Sequence, residues 1–419
     1  MFTVVALTPE REGSAMTALL ERTNTAVRRP FLSRGVGFAG ISTAMVAILV
    51  AAGAPTPLLP IYQHQWGFPP WVLTLAFGVY AFSLLVSIVV IGSLSDHIGR
   101  KPMIIGALAL DLVAMLMFLA APSIGWVIAA RVVQGVATGA ASSSLSAAVV
   151  ELAPERFKKL GAQMTSMAPL AGLAIGALFA GVLAEFATDA PFAVWLVLAV
   201  LIAALTVFAL FTPETATRKP GALASLNPRI SLPVRVRGLY WTAVPGIVGG
   251  FMTMTLFMGL VPALLVAVFE VRSPILGSLL AAVALGTATA GSALTSQVRP
   301  PRLRSTGTSA MIVGAVLFVG SIGATSLTLL WAAAIIGGGG IGLSFAGTTR
   351  GLVPEVAPHE RAGLFTAIFF VGYLAMGSSA IIAGLFVGVV GAAAAAAGFG
   401  VVTAIVTLVG VVAARLDRS

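Results

Sequence analysis

Two charged residues set inside otherwise apolar sequence are placed to do chemistry. Asp111 lies near the middle of one hydrophobic run, and Arg131 a few residues into the next. A carboxyl group withdrawn from water beside a movable base can take up and release a proton near neutral pH. The two runs meet at a tight turn near Pro122 and Ser123. At 1.5 Å per helical residue, Asp111 lies about 17 Å and Arg131 about 12 Å from that turn. A long arginine side chain can cover the offset, and the same spacing also suits a static ion pair pinning the two helices together. Gln134, Thr138 and Ser142 follow Arg131 at steps of three and four, which makes one polar stripe on a helix. An arginine at the centre of a bilayer costs roughly 2.5–3.5 kcal/mol on insertion scales. Arg131 therefore either faces protein or water, or snorkels to the nearer interface.

A second constellation is compact and charged: Gly92-Ser-Leu-Ser-Asp96-His-Ile-Gly99-Arg100-Lys101-Pro102. Asp96 falls at the end of a helix whose last carbonyls carry partial negative charge, and Arg100 and Lys101 offset both. Gly92 and Gly99 allow close helix approach and a tight turn. Other chemistries lack their residues. The chain has no cysteine, so disulfides, thiolate metal sites and a cysteine nucleophile are excluded. His64, His97 and His359 are scattered over expected loops, which gives no metal cluster. No Gly-rich loop ends in Gly-Lys-Ser or Gly-Lys-Thr, so no nucleotide site is expected. Only Asp111 and Arg131 pair at one depth, with no nucleophile beside them, so an intramembrane enzyme is not expected. No cofactor is implied; a proton gradient is the expected energy source.

The elements that must position these groups follow from composition. The chain has 419 residues, 58% hydrophobic and 9% charged. A soluble domain carries about 25% charged residues, so the bilayer must solvate most of this molecule. A spanning helix needs about 20 apolar residues. The backbone must satisfy itself in lipid, and the alternation of barrel strands is absent, so the spans are helices. Twelve runs fit: 36–59, 70–94, 102–121, 125–149, 161–183, 191–211, 239–265, 274–296, 306–324, 326–349, 363–388 and 391–414. The organisation expected is a polar tail (1–35), a six-helix half (36–211), a polar linker with four prolines and five bases (212–238), a second six-helix half (239–414) and a short tail (415–419). The net charge of +10 has a topological cause. All but Arg131 and Arg272 of the 24 Lys and Arg fall on one side, which the positive-inside rule makes the cytoplasm. Nucleic acid is not expected as a partner, and residues 1–35 do not read as a signal peptide.

The two halves echo each other. Glu151-Leu-Ala-Pro154 recurs as Glu355-Val-Ala-Pro358, an offset of 204, and Gly92 with Arg100 recurs as Gly291 with Arg299, an offset of 199. Thr295 stands where the second copy would carry the counterpart of Asp96.

The loop 92–102 resembles the one joining helices 2 and 3 of major facilitator transporters, and the resemblance extends over nearly the whole chain. It implies an all-α membrane fold of twelve helices in two pseudo-symmetric halves with a site between them at mid-membrane. It implies that Gly92, Asp96, Gly99, Arg100 and Lys101 form a conformational switch that does not bind substrate. The run Arg131-Val-Val-Gln134-Gly135 is similar to the family's helix-4 pattern, which implies proton coupling or substrate contact for Arg131, with Gln134, Thr138 and Asp111 as its companions. Gly172, Gly176 and Gly181, with Gly135, allow close helix packing; the first three resemble the glycine-rich stretch of the family's drug–proton antiporters. Ala177 and Ala180 depart from that stretch where a proline and a glycine are expected. In the family, helices 1, 4, 7 and 10 line the path. Ser142 and the run Phe251, Met254, Phe257 and Met258 then line the cavity, an adaptable apolar surface, or serve as ordinary packing. Gly337–Gly340 reads equally as hinge or as packing.

The function expected is proton-coupled export of small apolar or amphipathic organic compounds by alternating access, from a monomer in a bacterial-type inner membrane with both termini cytoplasmic. A proton symporter or facilitator for nutrient uptake is the first rival, and a non-transporting membrane sensor the second.

Overall fold

A proline interrupts the hydrogen-bond ladder of the first span. Span 1 is two helices end to end, α1 (Arg34–Gly53) and α2 (Pro55–Trp66). Pro55 has no N–H, so the Ala51 carbonyl four residues earlier loses its helical donor and the hydrogen-bond ladder is interrupted there, with Ala54 still at helical angles. This computed structural model describes residues 32–217, 219–227, 232–295, 297–357 and 360–416. Most of the expected N-terminal tail, the linker residues Arg218, Pro228 and Arg229, Pro358 and His359, and the last three residues lie outside the described residues.

Spans 2 to 6 are α3 (Trp71–Ile91), α4 (Arg100–Leu119), α5 (Ile124–Leu152), α6 (Lys158–Phe186) and α7 (Ala190–Ala209). Span 7 begins as α8 (Arg237–Thr255), widens into a π-turn at Leu256–Leu260 and ends as α9 (Val261–Ala267). Pro262 leaves the Met258 carbonyl without its donor, the physical cause of the irregular turn. Spans 8 to 10 are α10 (Pro274–Leu294), α11 (Pro300–Gly323) and α12 (Leu327–Leu352). The last helix, α13 (Arg361–Leu416), has 56 residues and one non-helical residue, Gly391, with φ 83° and ψ 164°. At 1.5 Å per residue it measures about 84 Å, more than twice the hydrocarbon thickness of a bilayer. Both its arms return to the same level of α8: the Tyr240 hydroxyl donates to the Ala367 carbonyl at 2.8 Å, and Gly410 packs on Pro245. The chain therefore reverses at Gly391, and α13 supplies spans 11 and 12. The fold is the all-helical membrane architecture expected.

Exposed side chains along the spans are large and apolar, such as Phe186, Val200 and Ile405, as a lipid solvent requires. One buried apolar cluster draws all its members from residues 38–209. A second is mostly from residue 236 onward but takes in Phe77, Ala81, Ala174 and Ala177. Two expectations change. Span 9 starts at Pro300 rather than 306, which draws Arg304 into the helix, only 5% exposed. The four glycines 337–340 lie in an unbroken helix. A side chain at Gly338 would strike the Ala284 carbonyl, and one at Gly340 would strike Met311. In this structure they serve close packing.

Candidate functional site

The polar stripe of α5 turns inward because span 1 offers it carbonyls. Gln134 Nε2 donates to the Ala51 carbonyl at 2.9 Å, the group that Pro55 leaves without a helical partner. Arg131 Nη1 donates to the next carbonyl, Ala52, at 3.4 Å and to Gln134 Oε1 at 2.5 Å. Arg131 Nε donates to the Ala76 carbonyl of α3 at 3.3 Å. The guanidinium sits 4.0 Å above the Tyr80 ring, a cation–π contact. Thr138 donates to the Gln134 carbonyl at 2.8 Å and its side chain meets the Tyr80 hydroxyl. Ser142 donates to the Thr138 carbonyl at 2.7 Å. Arg131 is 2% exposed. It does not snorkel to the interface, because carbonyls of two neighbouring helices hold it inside.

Asp111 corrects the other expectation. It is fully buried, and neither carboxylate oxygen has a hydrogen-bond partner among the described residues. No ion pair joins it to Arg131 among the described residues, so the static pair is not formed; the arginine's donors are engaged elsewhere. Asp111 shares its face of α4 with Ala107, Leu108, Ala114 and Met115.

The residues expected to line a cavity divide. Phe251, Met254 and Met258 are buried in the cluster that also holds Phe77, Ala81, Ala174 and Ala177, so they meet the first half. Phe251 stands edge-on to Tyr373 at 5.1 Å, and Tyr373 packs beside Tyr80, Leu84 and Ala52. Phe257 does not line this seam. It points another way, into packing with Phe318 at 6.1 Å, about 120° round the helix from Phe251 at 3.6 residues per turn. Gly135 approaches the Tyr80 carbonyl; Gly172 and Gly176 lie against Leu49 and Val50 of α1; Gly181 lies against Ser278 of α10.

The loop 92–102 forms a network with the linker. Arg100 Nη1 reaches Asp96 Oδ1 at 2.5 Å and Ser95 Oγ at 2.7 Å, and Nη2 lies 3.5 Å from Glu151 Oε1. Glu214, just past span 6, accepts the backbone N–H groups of Arg100 and Lys101 at 2.9 and 3.2 Å. It thus caps the N-terminus of α4. Gly99 has φ 109°, and a Cβ there would collide with that carboxylate. Thr215 donates to Glu151, the Lys219 N–H donates to the Asp96 carbonyl, and Ser93 Oγ donates to the Ser225 carbonyl. Gly92 lies against the Ile88 carbonyl. In the second copy, Arg350 donates to the Thr295 and Ser292 carbonyls, both at 2.7 Å, and so pins the loop that has lost its acid.

At the opposite end, Glu185 of α6 reaches across to α10. Its Oε2 accepts from Ser273 Oγ at 2.9 Å and from the Ile275 N–H at 3.3 Å. Tyr80, Tyr373 and Glu214 were not singled out from the sequence, nor was the partner that Glu185 finds across the halves. Tyrosine is scarce, four in the chain, which is the one signal that could have raised the first two. The carboxylates are marked only by the partners that the fold brings to them.

Comparisons with known proteins agree with this architecture. The sequence pattern of the Major Facilitator Superfamily matches residues 36–380. The quinolone resistance protein NorA of Staphylococcus aureus is 24% identical over 189 residues, which is 44% of this chain and 49% of that protein; the chain spans about half the length of this curated relative. Among solved structures, the human organic anion transporter MFSD10 superposes with a TM-score of 0.65 at 16% identity, over 90% of this chain and all of that one. A bacterial homologue of the human lysosomal transporter Spinster, inward-facing and unoccupied, gives 0.70 at 14% identity, over 92% and 98%.

Proposed function

The chain belongs to the Major Facilitator Superfamily, and on that premise we propose that this multi-pass membrane transporter is a proton-coupled exporter of small apolar or amphipathic organic compounds. Members of the family move solutes and are not enzymes. The observation that carries the finer reading is the composition of the seam between the two sets of helices. Phe77, Phe251, Met254, Met258 and Tyr373 meet there beside Tyr80 and Arg131. Methionine and aromatic side chains adapt to ligands of varied shape. A carrier of multiply charged anions would need several bases at that depth, and a sugar carrier more amides and acids. The likeness to a quinolone resistance protein supports the same substrate class.

In this reading Asp111 and Arg131 couple solute movement to protons, and the basic face lies in the cytoplasm. The loop 92–102 with its linker cap and the Glu185–Ser273 contact are both formed in this structure; in this reading the Glu185–Ser273 contact, which joins the two sets of helices, opens during alternating access. The test is reconstitution into liposomes with a trapped pH dye. A proton gradient is imposed and amphipathic cations, dyes and sugars are added in turn. An amphipathic compound should dissipate the gradient, and Arg131→Ala should abolish the effect. Labelled solute crossing without any proton signal would reduce the protein to a facilitator. Sugar-driven proton uptake would replace export by symport.

A further inference from the structure

We propose that Asp111 carries its proton in the conformation seen here, and that losing it draws Arg131 off span 1 and frees the junction between α1 and α2 at Pro55. This deepens the proton-coupled reading and rests on it. Both oxygens of Asp111 are buried and lack a donor among the described residues. An ionised carboxylate in such a place is heavily disfavoured, whereas the neutral acid loses only the hydration of one hydroxyl and one carbonyl. Arg131 is the complement: a buried cation whose contacts are all neutral, namely the Ala52 and Ala76 carbonyls, Gln134 Oε1 and the Tyr80 ring. A cation without a counter-ion and an acid without a donor, on adjoining helices, are the two parts of an ion pair held apart.

Among the described residues, the surroundings leave each no other charged partner. Around Asp111, α5 presents Arg131, α3 presents Tyr80, and α7 has no titratable residue between Ala190 and Ala209. Asp96, His97 and Arg100 lie at the basic end, roughly 16 Å along the helix at 1.5 Å per residue.

The step is a simple ionisation. The Asp111 O–H bond breaks, the proton passes to water, and the electron pair stays on the carboxylate. Arg131 remains a guanidinium throughout. The new anion then competes for Arg131 against two carbonyl contacts that are long, 3.3 and 3.4 Å. Charge-to-charge attraction in a low-dielectric interior exceeds charge-to-dipole attraction. As Arg131 leaves, Ala52 loses its donor and Gln134 loses the partner that orients its amide toward Ala51. Both contacts tie span 1 on the N-terminal side of Pro55, so deprotonation frees the junction between α1 and α2.

The test needs neither substrate nor gradient, so its failure is separable from failure of the export reading. The purified full-length protein is placed in lipid nanodiscs and titrated with pH under infrared difference spectroscopy. The carbonyl stretch of a protonated carboxylic acid should titrate in the parent protein and be lost in Asp111→Asn. In parallel, spin labels are attached to cysteines at the exposed positions Thr43 and His64, on either side of the junction, in a chain with no native cysteine. The distance between them should shift with pH in the parent and stay at its low-pH value in Asp111→Asn. Arg131→Lys keeps the charge with fewer donors; it should retain the infrared band but hold the high-pH distance at every pH. A parent protein without the acid band, or a distance shift that survives in Asp111→Asn, overturns the proposal. If Asp111→Asn does not fold, the Arg131→Lys distance and the parent band decide it alone.

Discussion

Replacing Gln134 with leucine, in the natural chain and in one carrying Pro55→Ala, separates two tasks of a single side chain. Leucine fills a similar volume but cannot donate to Ala51 or accept from Arg131. A buried carbonyl left unpaired costs about 1–3 kcal/mol, and interhelical hydrogen bonds in membranes are worth about 0.6 kcal/mol on average and rarely above about 1.7. We therefore assign about 1–2 kcal/mol to the Ala51 carbonyl. Arg131 keeps its two other acceptors, so its share is about 1 kcal/mol. Gln134→Leu alone should destabilise by about 2–3 kcal/mol. With alanine at 55, the chain regains an N–H four residues after Ala51, and the helix can satisfy that carbonyl itself. Ala54 already has helical angles, φ −60° and ψ −33°, a conformation that a following proline disfavours, so alanine fits without rearrangement. In that background the same change should cost only about 1 kcal/mol, a coupling of about 1–2 kcal/mol. The assay is unfolding in mixed micelles titrated with a denaturing detergent, read by tryptophan fluorescence. An equal loss in both backgrounds would mean that Gln134 does not serve the carbonyl freed by Pro55.

Cysteines at Glu185 and Ser273 joined by a short cleavable thiol cross-linker should stop transport, and cleavage should restore it; transport that continues under the cross-link would show that these ends never separate. Asp96→Asn should lower the maximal transport rate while costing less than about 1 kcal/mol of stability, since the Asp96–Arg100 pair is partly exposed; an unchanged rate at saturating substrate would remove the loop from the switch. Gly99→Ala should cost about 1–3 kcal/mol from its positive φ, and should also displace Glu214, making residues 214–227 more open to protease. A lower melting temperature with unchanged cleavage would detach the linker from the cap.

How far the chain can be read without coordinates depends on the range of the forces involved. Residues 363–388 and 391–414 were legible as two spans because hydropathy alone reports lipid contact, and Gly391 marks the turn between them. The inward face of Arg131 was only half legible. Its place on a stripe with Gln134 and Thr138 follows from helical periodicity, but its partners are carbonyls, and every residue carries one. Which carbonyls are free depends on Pro55 and on α1 lying against α5. Asp111 and Arg131 look like an ion pair in sequence because their depths nearly match; depth says nothing of azimuth, and in the folded protein Arg131 is engaged by Ala52, Ala76 and Tyr80 instead. Phe257 shared a run with Phe251 and Met254, but at 3.6 residues per turn it stands about 120° round the helix from Phe251. Only the fold shows that the face it does occupy meets Phe318.

The sequence by itself determined the solvent, the number of spans, and the loop that marks the family, because each rests on composition or on spacing within one helix. The tertiary structure alone decided which buried polar groups meet. The Glu214 cap on Arg100, the Glu185 bridge to Ser273 and the separation of Asp111 from Arg131 join residues far apart in the chain or on facing helix surfaces. Hydrogen bonds act over about 3 Å, so such pairings exist only once packing has fixed the rotation of every helix.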